Sequence, residues 1–254
     1  MSLSSPSSYT DAQQILSSTS EQTVCQKPAT PHFDFQANDP GSLHAIPSVS
    51  YFRISEDGKK ALPVHPLKEI SYKTGEGYNV IAEIIGGQAQ KTELDEETGR
   101  VTPNVKNEKL RYVSFLPYPA ALYGSIPQTV SDKQKGGDGD PLDVFIISSP
   151  ADHNRLPGQV LCDIRIVGAI DMRDGGEHDV KLIGIAPDSP LSQVKTLNEL
   201  EKNHPGILEV LETWLRNYKG PAGGVEIKGR LNEKEALHLI EEGHLDWQQE
   251  QTRP

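Results

Sequence analysis

Asp138-Gly139-Asp140-Pro141-Leu142-Asp143-Val144-Phe145-Ile146-Ile147 runs from an acidic turn straight into an apolar β-type segment. Pro141 restricts Asp140 to an extended backbone, and Gly139 lets the turn close tightly. Asp140 and Asp143 are therefore aimed by the backbone rather than left loose on a surface. The bland reading stays open at this point, since Asp-Gly and Asp-Pro are ordinary turn dipeptides.

Other short β-type runs flank this one: Tyr78 to Ile85, Val160 to Val167 and Val180 to Ala186. Turn signals at Gly86-Gly87, Gly136-Gly137 and Gly175-Gly176 separate them. Many short strands joined by polar loops predict a closed or partly closed antiparallel barrel. Lys133 to Gly139 reads as a polar loop. After Ser192 the period becomes helical, with Ile207, Leu208, Leu211, Trp214 and Leu215 on one stripe behind Pro205-Gly206. Asn232 then caps a second amphipathic helix, Glu233 to Trp247, whose apolar positions are Ala236, Leu237, Ile240 and Leu245. The expected architecture is a β core followed by two packing helices.

The 254 residues carry 25 Lys+Arg against 36 Asp+Glu, a net charge of −11. That balance disfavours a nucleic-acid binder, which needs a basic stripe to hold phosphates. Hydrophobic residues make up only 35%, and mean hydropathy is −0.52. No apolar run approaches the roughly 18 to 20 residues that cross a bilayer. Cys25 and Cys162 make no disulfide framework, and a single bridge between a polar tail and a strand would need geometry that sequence does not supply. Residues 1–48, rich in Ser, Thr, Gln and Pro, read as an extended or partly disordered arm that could dock through Phe33 and Phe35, and residues 49–254 as one domain. The arm shows no charged-then-apolar leader, which predicts a cytoplasmic protein, with export after removal of a natural signal as the alternative.

A second acidic group, Asp171 to Lys181, also precedes a β run, and Asp174 and Asp179 repeat the spacing of Asp138 and Asp143. Clustered carboxylates repel and raise one another's pKa, so a site that keeps them ionised calls for a cation. Oxygen donors without cysteine, and with His178 isolated, suit Mg²⁺ or Mn²⁺ rather than Zn²⁺. An EF-hand does not fit, because the position that should hold its Glu is Ser149.

These residues resemble the family I soluble inorganic pyrophosphatases, in order over about residues 78 to 245. Asp138 to Val144 is similar to the signature DGDPxDV, Val80 to Ile84 to the strand bearing an active-site Glu, and Lys91 to Gly99 to KxEIDKExG. Asp174 to Lys181 follows D-x4-D-x-K, and Trp214 to Lys219 matches a helix ending in Tyr-Lys. The resemblance implies an α+β fold, mainly β with flanking helices, built on a five-stranded OB-like barrel. It implies Mg²⁺-dependent hydrolysis of inorganic diphosphate by a metal-activated water, Mn²⁺ being the substitute cation. Asp138, Asp143, Asp174, Asp179 and Glu93 are the implied metal ligands, Asp140 the general base, and Glu83 a member of the same cavity. Lys91, Arg111, Tyr123, Lys181, Tyr218 and Lys219 are the implied diphosphate contacts, with Lys109 competing for the place of Arg111. A homo-oligomer, dimer or hexamer, is implied as well, with no nucleic-acid or membrane partner.

One motif departs from the pattern. Tyr118-Pro119-Ala120-Ala121-Leu122-Tyr123-Gly124 is one residue longer than Tyr-Pro-x-x-Tyr-Gly, so Pro119 falls in the first tyrosine's place and Tyr118 is left as its open candidate. Two rivals follow: a catalytically impaired relative that binds phosphate or metal, and an OB-type nucleic-acid binder.

Overall fold

The computed structural model describes residues 49–106, 109–113, 115–147, 155–220 and 222–253. The arm with Cys25, Phe33 and Phe35 lies outside the described residues. In chain order the elements are β1 (Tyr51–Ile54), β2 (Ala61–Val64), α1 (Pro66–Glu69), β3 (Tyr78–Ile85), β4 (Thr92–Leu94), β5 (Val101–Pro103), β6 (Val105–Lys106) and β7 (Lys109–Leu110). There follow β8 (Leu122–Ser125), β9 (Asp143–Ile147), β10 (Val160–Asp174), β11 (Glu177–His178), β12 (Lys181–Ile185), α2 (Leu197–Asn203), α3 (Ile207–Asn217), β13 (Val225–Leu231) and α4 (Glu233–Thr252).

Five strands close a ring: β3 pairs with β8, β8 with β9, β9 with β12, β12 with β10, and β10 returns to β3. Every pairing is antiparallel except β9 with β12. The expected five-stranded barrel is therefore present. β10 runs for 15 residues, and its far half leaves the ring to pair with β11 and β13. Gly168 sits at the irregularity where β10 pairs with β12 and has φ of +149°. A Cβ there would lie 2.4 Å from Leu197 Cγ and 2.6 Å from the Leu231 carbonyl oxygen. Only glycine lets α2 and β13 approach the strand this closely.

Alternation along β9 divides the core. Val144 and Ile146 pack with Ile164, Leu182, Ala236 and Ile240, whereas Phe145 and Ile147 pack with Ile183, Leu211, Trp214 and Leu215. One barrel surface is thus sealed by α4 and another by α2 and α3, at about 1.5–3 kcal/mol per fully buried large side chain. α3 buries Leu208, Leu211, Trp214 and Leu215 as the stripe predicts. In α4, Asn232 Oδ1 accepts from Glu235 N at 3.1 Å while Glu235 Oε2 accepts from Asn232 N at 2.8 Å, a reciprocal cap.

Leu245 corrects the expected stripe, for it is 55% exposed. Five residues beyond Ile240, it is rotated by about 140° at 100° per residue, and Gly243 and Asp246 are buried in its stead. Two packing helices were expected; the structure adds α2 before them and inserts β13 between them. Cys162 on β10 is disulfide-bonded.

Candidate active site

The acidic turn is held from several directions. Asp138 Oδ1 accepts from the Asp140 amide at 3.0 Å, and the Gly139 amide, at φ +89°, donates to the Ser131 carbonyl at 2.8 Å. The Ser131 amide returns a bond to the Asp140 carbonyl, and Thr129 Oγ1 accepts from the Leu142 amide. With this turn fixed, Asp143 opens β9 directly opposite Lys181 at the start of β12. Lys181 Nζ donates to Asp143 Oδ2 at 2.5 Å, to Asp179 Oδ1 at 2.6 Å and to the Tyr123 hydroxyl at 3.2 Å.

At the end of β10, Asp174 accepts from the Tyr218 hydroxyl at 3.3 Å and pairs with Lys219. Both partners lie just past α3, where Trp214 stacks on Tyr218 with ring centroids 4.7 Å apart. Lys91 pairs with Glu93, which also accepts from Asn104.

These elements surround one cavity of about 360 Å³ lined by Lys91, Arg111, Tyr123, Asp138, Asp140, Asp143, Asp174, Asp179, Lys181, Tyr218 and Lys219. Glu83 and Glu93 line an adjoining space of about 240 Å³ that shares Lys91, Tyr123, Asp140 and Asp143 with it. Every site residue expected from sequence therefore falls in one connected region. Lys109 lines neither space. His178 is not isolated: its Nε2 lies 2.9 Å from Asp171 Oδ1.

Sequence reasoning left Tyr118 open and missed Glu177, and both line the cavity. The Tyr118 ring lies 5.5 Å from Tyr123 and 4.6 Å from Trp214, while Pro119 is exposed. The one-residue insertion thus still delivers two tyrosines to the cavity. Glu177 lay within the acidic stretch read from sequence, but the D-x4-D-x-K spacing passes over it.

Among the described residues, six carboxylates and four cations line the main cavity. Partial removal from water, then Asp138 and Asp143, push the Asp140 carboxyl up to about 6. Burial raises Asp138 and Asp179 as well. Burial, followed by the Asp143 charge, raises Glu83 to about 8. Burial would discharge Lys181, but Asp143 and Asp179 override it and hold the amine charged. Burial raises the Tyr118, Tyr123 and Tyr218 phenols, so each stays a proton donor.

Among the described residues no three His, Cys, Asp or Glu side chains converge into a ready-made cation cage. The lysines explain it, since Lys181 lies between Asp143 and Asp179, and Lys219 holds Asp174. The donor set nonetheless fits hard divalent cations. It consists of carboxylate oxygens, its acids outnumber its cations, and burial makes Asp138, Asp140 and Asp179 harder to ionise without added positive charge. Four cations and three phenols in the same space suit a phosphoryl anion.

The barrel and this cavity define a site for a small polyanion worked on beside hard cations. The profile of the family described as Inorganic pyrophosphatase matches residues 80–248. The inorganic pyrophosphatase of Candida glabrata is 32% identical over 214 residues, 77% of this chain and 73% of its own. That of Mus musculus is 30% identical over 222 residues, 80% and 75% of the two chains. The Arabidopsis thaliana protein named soluble inorganic pyrophosphatase 6, chloroplastic, is 32% identical over 77% of this chain and 68% of its own. Among solved structures, the type I inorganic pyrophosphatase from P falciparum superposes with a TM-score of 0.70 at 30% identity, covering 79% of this chain and 68% of that one. This chain belongs to the inorganic pyrophosphatase family of metal-dependent enzymes, which hydrolyse diphosphate to orthophosphate. Among the described residues no helix is long and apolar enough to cross a membrane.

Proposed function

We propose that this cavity hydrolyses inorganic diphosphate with Mg²⁺ as the working cation and Asp140 as general base. The observation that supports it is the convergence of six carboxylates, four cations and three phenols on one space of about 360 Å³. Asp138, Asp143 and Asp179 would hold the cations that serve the attacking water, and Asp174 and Glu93 those that arrive with substrate. Mg²⁺ bound there supplies charge neutralisation of the phosphoryl oxygens and a lowered pKa for water, with Mn²⁺ able to replace it.

The chain's own groups do the rest. Asp140, fixed in its turn by the Asp138 carboxylate, takes the proton of the attacking water. Lys91, Arg111 and Lys219 draw the diphosphate oxygens in, and Tyr123 and Tyr218 donate to them from phenols that stay protonated. Lys181 keeps Asp143 and Asp179 apart and shares its charge with the substrate. Glu83, its carboxyl raised to about 8 by burial and the Asp143 charge, lines the adjoining space.

Assembly as a homo-oligomer, dimer or hexamer, belongs to the same proposal. Phe52, Ile54, Val105, Leu110 and Leu116 are exposed apolar residues that self-association would cover.

The testing experiment is orthophosphate release from diphosphate with Mg²⁺, with EDTA as control and ATP as comparison substrate. Two orthophosphates per diphosphate, lost with EDTA, is the expected result. A protein that binds Mg²⁺ and phosphate without turnover is instead the impaired relative.

A further inference from the structure

Behind the acidic turn, on the side facing α4, lies a cleft of about 180 Å³ whose lining includes Lys135, Asp246, Asp138 and Asp179. We propose that the ion pair between Lys135 and Asp246 is a positioning pair, anchoring the loop from Ser131 to Asp140 on α4 so that Asp138 and Asp179 are held ready for cations. The proposal rests on reading those two aspartates as cation ligands.

The pair is built into the fold at both ends. Asp246 lies on α4 and is 8% exposed. Lys135 Nζ donates to its Oδ1 at 2.8 Å and to its Oδ2 at 2.7 Å. Among the described residues Lys135 is the one cation within ion-pair distance of Asp246, so swinging the lysine away would leave an enclosed carboxylate uncompensated. Lys135 ends a single 3₁₀ turn, Lys133–Lys135, which Asp132 opens by accepting from the Gln134 amide and Gly136 closes at φ +91°. Neither Lys135 nor Asp246 lines the catalytic cavity or its adjoining space.

From this anchor, backbone bonds reach both acidic groups. The Gly137 amide donates to the Asp132 carbonyl at 3.0 Å and the Ser131 amide to the Asp140 carbonyl at 2.9 Å, which joins the anchored loop to the turn bearing Asp138. In the other direction, the His178 amide donates to the Gly136 carbonyl at 2.8 Å. The residue after Lys135 thus holds the residue before Asp179.

Direct packing on α4 supports only part of this segment. The Val130 amide donates to the Gly243 carbonyl at 3.1 Å, and a Cβ on Gly243 would lie 2.9 Å from Leu142 Cδ1. Beside these contacts the cleft leaves the back of the turn without partner atoms to oppose a shift. The ion pair links loop and helix where packing does not. Carboxylates crowded in one site repel, so Asp138 and Asp179 need a rigid support to stay close before a cation joins them. A pair acting through the backbone in this way should govern cation affinity more than turnover.

The test is Mg²⁺ binding by calorimetry without substrate, together with the Mg²⁺ dependence of diphosphate hydrolysis. Lys135→Gln should raise both the Mg²⁺ Kd and the half-activating Mg²⁺ concentration by roughly 10-fold, the lower end for loss of a group that orients metal ligands. Its kcat at saturating Mg²⁺ should stay within about threefold, which also reports that it folds. Lys135→Arg, which keeps the charge and a bidentate reach to the carboxylate, should lie within about twofold of wild type. Asp246→Asn should shift in the same direction as Lys135→Gln, and the double variant should be no worse than the worse single one, since the two act as a unit. Lys73→Gln removes a different lysine pair from α4, that with Glu241 at 2.6 Å, and should leave Mg²⁺ binding unchanged. The positioning role is overturned if Lys135→Gln lowers Tm without moving either Mg²⁺ constant, if Lys135→Arg fails to restore them, if the two single effects add, or if Lys73→Gln matches them. A wild type that neither binds Mg²⁺ nor needs it for turnover would remove the reading of the aspartates, and the positioning role with it.

Discussion

Lys181 and Asp143 face one another across the parallel pairing of β9 with β12, with ammonium and carboxylate 2.5 Å apart and both ends of the pair shielded from water. Asp179 is the same ammonium's second partner. Lys181→Met would leave two enclosed carboxylates without their cation. Breaking a buried pair from one side costs about 3–5 kcal/mol. Urea unfolding in EDTA should show that loss, and millimolar Mg²⁺ should restore part of it by supplying replacement charge. Equal loss with and without Mg²⁺ would mean that the acids do not take up the cation.

The Glu83 carboxyl carries a pH signature. Its pKa is raised to about 8 by burial and the Asp143 charge, against an ordinary value near 4.3. The folded state then holds a proton that the unfolded chain has released, so this group's contribution to stability falls as pH rises from about 4.5 to 8 and is level above that. Glu83→Gln removes the effect. In EDTA the variant should match wild type near pH 4 and exceed it at pH 8.5 by a few kcal/mol, since each tenfold change in an ionisation constant is worth about 1.4 kcal/mol. Parallel stability curves would show that Glu83 ionises normally.

Asp140→Asn should preserve the turn, because the Asp138 carboxylate bonds the residue 140 amide rather than its side chain. Turnover of diphosphate should fall by roughly 10² to 10⁴, the weight of a general base, with Mg²⁺ affinity by calorimetry little changed. Full turnover would remove Asp140 from the mechanism.

Gly168→Ala tests the fold. The substitution places a Cβ against Leu197 and the Leu231 carbonyl at a φ that side chains avoid. It should cost at least about 2 kcal/mol, read as a fall in Tm of several degrees. An unchanged Tm would mean that β10, α2 and β13 can separate without penalty.

What the sequence showed and what it hid follow from the range of the forces involved. β3, β9, β12 and the first half of β10 carry dense apolar runs, and α3 repeats its apolar residues over three turns, so these were legible, whereas β8, Leu122-Tyr123-Gly124-Ser125, is too short and too mixed to show as a strand. The short hairpins β1–β2, β4–β5 and β6–β7 hold too few residues for a period to emerge. β13 does alternate, Val225, Ile227 and Leu231 against Glu226, Lys228 and Arg230, but its apolar residues are only half-buried and the signal is faint. The acid cluster was visible because the chain repeats its spacing before two strands. Tyr118 could not be settled by counting, since the inserted residue is absorbed by local backbone and only the fold reveals which side chain turns inward. The lysine bridges are likewise a product of register: Lys181 meets Asp143 because β9 and β12 run parallel, and a sequence does not print its strand order.

The most direct measurement is a crystal soaked in Mn²⁺ and recorded for anomalous scattering. Density should appear in the cavity among Asp138, Asp143 and Asp179, within direct coordination distance of their carboxylate oxygens. A cavity without anomalous density at saturating Mn²⁺, with Asp143 and Asp179 still held by Lys181, would contradict the account.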